Sequence, residues 1–175
     1  MDSLRTDRLL LRPWQPDEWP ALHALHADPY VAAWLGGALT ETQAQTALAA
    51  ICNEYTLGYG LYALCMPDGA IVGAAGLQRV RPGMPFQGIE ASWRLRQSAQ
   101  GQGYACEAMR RVLADADERL GLGAICSYTA RTNLRSQALM HRLGFVPDPA
   151  RDFDHPRLPA EHPLRPHVYY ERRVP

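Results

Sequence analysis

The stretch Ile89-Glu90-Ala91-Ser92-Trp93-Arg94-Leu95-Arg96, continued by Gln100-Gly101-Gln102-Gly103-Tyr104-Ala105, decides how this chain folds. Its first part is a β-type run that leads into a loop with two glycines. From Tyr104 the apolar residues Ala105, Ala108, Met109, Val112, Leu113, Ala116 and Leu120 recur at helical spacing, which predicts an amphipathic helix stopped at Gly121. Glu107/Arg111 and Asp115/Arg119 are spaced i,i+4 to support its exposed face. Strand, glycine loop and helix in this order make an anion cradle. Backbone N–H groups at the helix start point outward, the helix dipole favours a phosphate there, and glycines allow close approach. An ordinary loop with two glycines is the plainer alternative, and a Rossmann dinucleotide unit the sharper one. The latter needs an acid about 20 residues further on, at the end of the next strand, to hold a ribose. The next predicted strand, Ile125-Cys126-Ser127-Tyr128-Thr129, carries no acid and the loop lies past mid-chain, so the Rossmann reading fails.

Outward from this centre, helix and strand periods alternate. Thr6 to Arg12 reads as a first strand closed by Pro13, and Asp17 as the cap of a helix running to about His26 with Pro20 in its first turn. Thr40-x-x-Gln43 is a capping box before a second helix marked by Ala44, Ala47, Leu48, Ile51 and Tyr55. Tyr59 to Met66 and Ala70 to Leu77 form a hairpin around Pro67-Asp68-Gly69, and a Pro/Gly-rich loop, Arg81 to Gly88, precedes the central strand. Beyond the central helix come a strand at Ala124 to Ala130 and a helix at Asn133 to Leu143 ended by Gly144. Phe145 then starts a strand that Pro147 interrupts, and Val168 to Arg172 forms a last one. Residues 148–166 carry prolines and histidines without period and read as a loop insertion. No repeat or linker divides the chain, so one α/β domain spanning 1–175 is expected.

Composition excludes several chemistries. All 18 basic residues are arginine. Without lysine there is neither a Walker A phosphate site nor a Schiff base. The arginines are balanced by 18 acids, and no basic stretch interleaved with aromatics marks a nucleic-acid face, so no nucleic-acid partner is expected. No apolar run approaches the roughly 20 residues of a membrane span. The start, Met1-Asp2-Ser3-Leu4-Arg5-Thr6, lacks the plan of a signal peptide, so no membrane association and a cytoplasmic location are expected. Cys52, Cys65, Cys106 and Cys126 form no Cys-x-x-Cys pair and read as reduced, packed thiols.

Gln100-x-x-Gly103-x-Ala105 resembles the Q/R-x-x-G-x-G/A motif of the GNAT N-acetyltransferases. The wider string from Trp93-Arg94-Leu95 through Gly101-Gln102-Gly103-Tyr104-Ala105-Cys106-Glu107-Ala108 is similar to the branch holding the ribosomal-protein N-terminal alanine/serine acetyltransferases. The opening Thr6-Asp7-Arg8-Leu9-Leu10-Leu11-Arg12 and the later Asn133-x-x-Ser136 and Leu143-Gly144-Phe145 fit that branch in the same order. The resemblance spans roughly residues 5 to 146. It implies a mixed, mostly antiparallel central sheet flanked by helices, and acetyl-CoA as cosubstrate without a metal. The coenzyme would lie on Gln100, Gly101, Gln102, Gly103, Tyr104 and Ala105, with Trp93, Leu95 and Asn133 contributing. Acetyl would pass directly to a primary amine, with a backbone N–H of the splaying strand on the developing oxyanion. Glu90 matches a glutamate such enzymes use as base; a solvated strand carboxylate is the alternative. The helix tyrosine that many members use as acid falls at Met140, and Ser136 stands where this branch has a substitute serine. Ser136 and Asn133 also fit a helix first turn and its N-cap. Cys106, near a helix start, reads as packing rather than as a nucleophile.

The resemblance puts a protein N-terminus first among acceptors and a small amine or amino-acid-like molecule second. A non-catalytic acyl-CoA-binding sensor is the rival from another class. Dimers are common in the family, and nothing in this sequence fixes one. Asp152, Asp154, His155, His162 and His167 have no metal-ligand spacing. Residues 148–166 are instead expected to form a lid over the acceptor site. Trp14, Trp19 and Trp34 read as core or groove wall, with Trp34-Leu35-Gly36-Gly37 where acceptors often bind in this family.

Overall fold

The computed structural model describes residues 1–173; Val174 and Pro175, the end of the expected domain, lie outside them. The chain begins with two short strands, β1 (Leu4–Arg5) and β2 (Leu10–Pro13), and three helices, α1 (Trp19–Ala27), α2 (Pro29–Leu35) and α3 (Glu41–Glu54). Three strands follow, β3 (Leu61–Cys65), β4 (Ile71–Arg79) and β5 (Ile89–Leu95). Next come α4 (Tyr104–Arg119), β6 (Ala124–Ala130) and α5 (Leu134–Arg142), and lastly β7 (Val146–Pro147), β8 (Phe153–Asp154) and β9 (Pro166–Arg173). They build a nine-stranded sheet in the order β1-β2-β3-β4-β5-β6-β9-β7, with β8 on β9.

Every pairing is antiparallel except β5 with β6, which needs a crossover and receives α4 as that crossover. β4 follows β5 residue by residue from Ile89 to Leu95. β6 meets β5 only at Glu90 and Cys126. The sheet therefore forks just beyond Glu90, and a cleft opens there.

The sheet is covered on both faces. On one, α4 packs Ala108, Met109, Val112, Leu113 and Ala116 against Leu77, Ala91, Leu95 and Ile125, joined by Met140 and Phe145. On the other, Trp14, Leu22, Leu25, Val31 and Leu48 cover Ala63 and Ala74. Each fully buried large apolar side chain is worth about 1.5–3 kcal/mol. Because strand side chains alternate faces, Ala91 and Leu95 point to α4 while Glu90, Ser92 and Arg94 are left for the α1/α2 side.

The structure corrects several sequence expectations. The first strand is two: Thr6 turns the chain, accepting from Leu9 N at 3.0 Å, and Asp7-Arg8 leave the ladder. Asp17 caps nothing; Glu18 is the N-cap of α1 and lacks a side-chain cap bond, its carboxylate being held by Arg12 and by Gln15 N. α2 was not foreseen. Asp28 makes it, its Oδ1 accepting from Tyr30 N and Val31 N while Pro29 occupies the first turn. Glu107 does not pair with Arg111, because Arg8 and Thr6 hold it from β1–β2. Arg119 does meet Asp115. The capping box at Thr40 and Gln43 forms as expected. Residues 148–166 are not wholly irregular, since β8 adds to β9.

Candidate active site

The glycine loop takes its shape from two left-handed residues, Gly101 at φ 75° and Gly103 at φ 83°. Gly103 is the N-cap of α4 and has no side chain to cover the helix start, while a Cβ on Gly101 would meet open space. Neighbouring residues hold the loop. Gln100 Nε2 donates to Leu95 O at 3.2 Å, and its Oε1 accepts from Arg135 of α5 at 3.1 Å. Arg8 donates to Glu107 at 2.7 Å and to Gln102 O at 2.9 Å, and its guanidinium lies 4.6 Å from the Tyr104 ring centre. The result is an exposed, pre-shaped helix N-terminus suited to a pyrophosphate. It opens on a cleft of about 780 Å³ that runs past the fork to α1, α2 and residues 155–158.

Glu90 stands at the fork and is buried. Tyr128 Oη donates to its Oε2 at 2.8 Å and Gln78 Nε2 donates to the same oxygen at 3.1 Å. Its other oxygen remains for the cleft. Burial pushes the Glu90 carboxyl above the ordinary carboxylate range, and the two hydrogen bonds oppose that rise. Burial and the Glu90 charge push the Tyr128 phenol up as well. Cys126, paired to Glu90 across the fork, has its thiol pushed up to about 12 by burial, so it is no nucleophile at neutral pH.

Two turns of the pleat further along, Arg94 Nη1 lies 3.0 Å from His26 Nε2 of α1, and Nη2 donates to Ser92 Oγ at a long 3.4 Å. Burial, then Arg94, holds His26 down to about 3, so it is neutral and accepts. Burial, then Arg81, lowers Arg94 to about 10, which leaves it charged.

Asn133 caps α5, with Oδ1 accepting from Ser136 N at 3.2 Å and Nδ2 donating to Thr129 Oγ1 at 3.1 Å. Both ends of its side chain are thus engaged within the protein. Ser136 lines the cleft, as do Trp93, Leu95, Tyr104 and Ala105, whereas Met140 is buried in the core. Cys106 packs against the α4 core at the cleft edge. The residues weighed as metal ligands have other tasks. Asp152 accepts from Tyr169 N and pairs with Arg131, Asp154 pairs with Arg165, and His162 Nδ1 accepts from Leu164 N. The His155 and His167 rings lie 4.8 Å apart, packed with Phe153.

The family model for the acetyltransferase (GNAT) domain matches residues 8–146. This chain belongs to the GNAT acetyltransferase family. It is an N-acetyltransferase, and its sheet is the mixed, mostly antiparallel GNAT sheet that the resemblance implied. A GnaT-family acetyltransferase from Bordetella pertussis is 31% identical over 98% of this chain and 99% of its own, with a TM-score of 0.84. An acetyltransferase from Agrobacterium tumefaciens str. C58 is 27% identical over 98% and 94%, at 0.78. The ribosomal L7/L12 alpha-N-protein acetyltransferase RimL, solved in complex with coenzyme A, shares the fold at 16% identity over 98% of each chain, with a TM-score of 0.78.

Within this GNAT cleft, sequence reasoning did not single out Tyr128, Gln78, His26 or Arg94. Tyr128 and Gln78 reach Glu90 only because β6 and β4 flank β5, a topology that no local period encodes. A weak signal did exist: polar or charged residues at every second position of β5 left a whole face unsuited to a core.

Proposed function

We propose that this protein transfers acetyl from acetyl-CoA directly to a primary amine held at the β5/β6 fork. The observation that carries the reading is the position of Glu90: a buried carboxylate with one free oxygen at the fork, on the strand that leads to the Gly101/Gly103 loop. The residues fit the coenzyme. The loop is open, no Cβ fills its helix start, and Gln100 and Arg8 stiffen it. Acetyl-CoA supplies an activated thioester there, and RimL is a relative by fold that binds coenzyme A.

Glu90 takes the proton of the acceptor ammonium, directly or through water, a step worth about 10²–10⁴-fold. Backbone groups alternate sides along a strand, and Ala91 O faces β6 because Ser127 Oγ donates to it at 2.9 Å. Trp93 N–H faces the same way, beyond the last β6 pairing, and is the donor assigned to the oxyanion; losing one such donor costs about 10²–10³-fold. Ser136 Oγ offers the proton for the departing sulfur. Asn133 acts chiefly by fixing the α5 start that carries Ser136.

A protein N-terminus is the acceptor that the branch resemblance suggests. A small amine is favoured by a separate observation: Leu158 packs on Gly36, where a Cβ would stand 3.2 Å from its Cδ2, which narrows the acceptor end. Incubation with acetyl-CoA and a mixed panel of peptides and small amines, read by coenzyme A release and by mass spectrometry, tests the reading. Acetylated amine with an unmodified enzyme supports direct transfer; no turnover across the panel contradicts it.

A further inference from the structure

Arg94 is a half-buried cation on the cleft wall that forms no ion pair among the described residues. Its hydrogen bonds go to a neutral histidine and, at long range, to a serine. A guanidinium has five N–H donors, so several remain unspent toward the cleft, and a partly desolvated cation there gains from an anionic partner. The acid that lines the same cleft among the described residues is Glu90. That carboxylate is held by Tyr128 and Gln78 and faces the fork. Around it the cleft wall carries Arg81 and Arg157, so this end is cationic.

Spacing supplies the second half of the argument. Glu90, Ser92 and Arg94 occupy alternate positions on one face of β5, about 6.6 Å apart in succession. Glu90 and Arg94 line the same cleft, so an acceptor whose amine meets Glu90 has room on this face to turn a carboxylate toward Arg94. A polyamine would bring a second cation against this arginine and is disfavoured.

We propose that Arg94 receives a carboxylate of the acceptor, so that the preferred substrates are primary amines carrying a carboxylate a few bonds from the nitrogen. This chemistry has two sources, a free amino acid or a peptide N-terminus with aspartate or glutamate in its first residues. The inference rests on the acetyl-transfer reading above, and its test separates the two.

Acceptors that differ only at the carboxylate are compared: free amino acids against their carboxamides, and peptides beginning with Glu or Asp against Gln or Asn counterparts. Wild type and Arg94→Gln are assayed with acetyl-CoA. In the series that is turned over, wild type is expected to favour the acid by about tenfold or more in kcat/KM, carried by KM. Arg94→Gln abolishes that preference and leaves acetyl-CoA affinity unchanged. The series showing the preference names the source. Equal rates on acid and neutral acceptors by wild type overturn the proposal, whatever the variant does. If no amine is turned over, the transfer reading has failed, and calorimetry of N-acetyl amino acids and N-acetyl peptides against their neutral analogues still decides the Arg94 site. Acid-selective binding to wild type supports it, and absent or unselective binding overturns it.

Discussion

Burial at the fork raises the Glu90 pKa, while the hydrogen bonds from Tyr128 and Gln78 pull it down. A base must be ionised to act, so kcat/KM is expected to rise with pH through a pKa above the ordinary carboxylate range. Tyr128→Phe removes one opposing bond and should shift that limb to higher pH; an unmoved limb would separate Tyr128 from the chemistry. Glu90→Gln should lower kcat by about 10²-fold or more without changing acetyl-CoA affinity. The same residue has a stability signature. A carboxyl whose folded pKa is raised contributes stability that is complete below its unfolded pKa and is lost as pH rises through the folded value. Glu90→Gln is therefore expected to melt higher than wild type at pH near 7, with the gap closing on acidification in thermal scans. At this scale the glycine pattern marked Gly103, and the family resemblance pointed to Glu90 and Ser136. Neither could mark Tyr128 or Gln78, whose roles come from neighbouring strands.

At the scale of elements, the start of α4 depends on residues a hundred positions away. Thr6 and Arg8 seat Glu107 and the Gln102 carbonyl, and this gives a physical reason for the opening Thr6-Asp7-Arg8 that the sequence offered only as a resemblance. It also explains why the first strand breaks, since those residues turn from the ladder to reach the helix. Arg8→Ala is expected to weaken acetyl-CoA binding several-fold with kcat little changed, measured by calorimetry and steady-state kinetics; unchanged affinity would mean that the loop holds itself. In the sheet, Gly76 has φ 156° and a Cβ there would collide with the Gly60 carbonyl. Gly76→Ala should cost about 1–3 kcal/mol in denaturant unfolding. Most elements were legible because capping boxes, glycine stops and period carry local energy. α2 was not, because its seven residues are held by the Asp28 side chain, which also accepts from Gln97 N beyond β5.

Across the whole molecule, the cleft joins parts from both ends of the chain. α2 forms one wall, and residues 155–158 close over its far end through Leu158 on Gly36 and Arg157 donating to Pro82 O at 3.0 Å. We propose that this segment is the lid. Replacing Leu158 with Ala and Arg157 with Ala together should raise acceptor KM while leaving acetyl-CoA affinity intact; an unchanged KM removes the lid from the account. The strand, loop and helix were legible from local pattern, while the mixed, mostly antiparallel sheet and its fork came only with the family resemblance, carried by three stretches in the same order. The acceptor end was not legible, since residues 148–166 have no period and take their place through β9. Among the described residues no helix is long and apolar enough to cross a membrane. The most direct test of the central claim is acetyl-CoA binding by calorimetry on wild type and Gly103→Glu, with circular dichroism confirming that the variant folds. The account predicts saturable wild-type binding abolished by a side chain that fills the cradle and repels the pyrophosphate; a wild type that binds no acetyl-CoA, or a folded variant that binds it equally well, would contradict it.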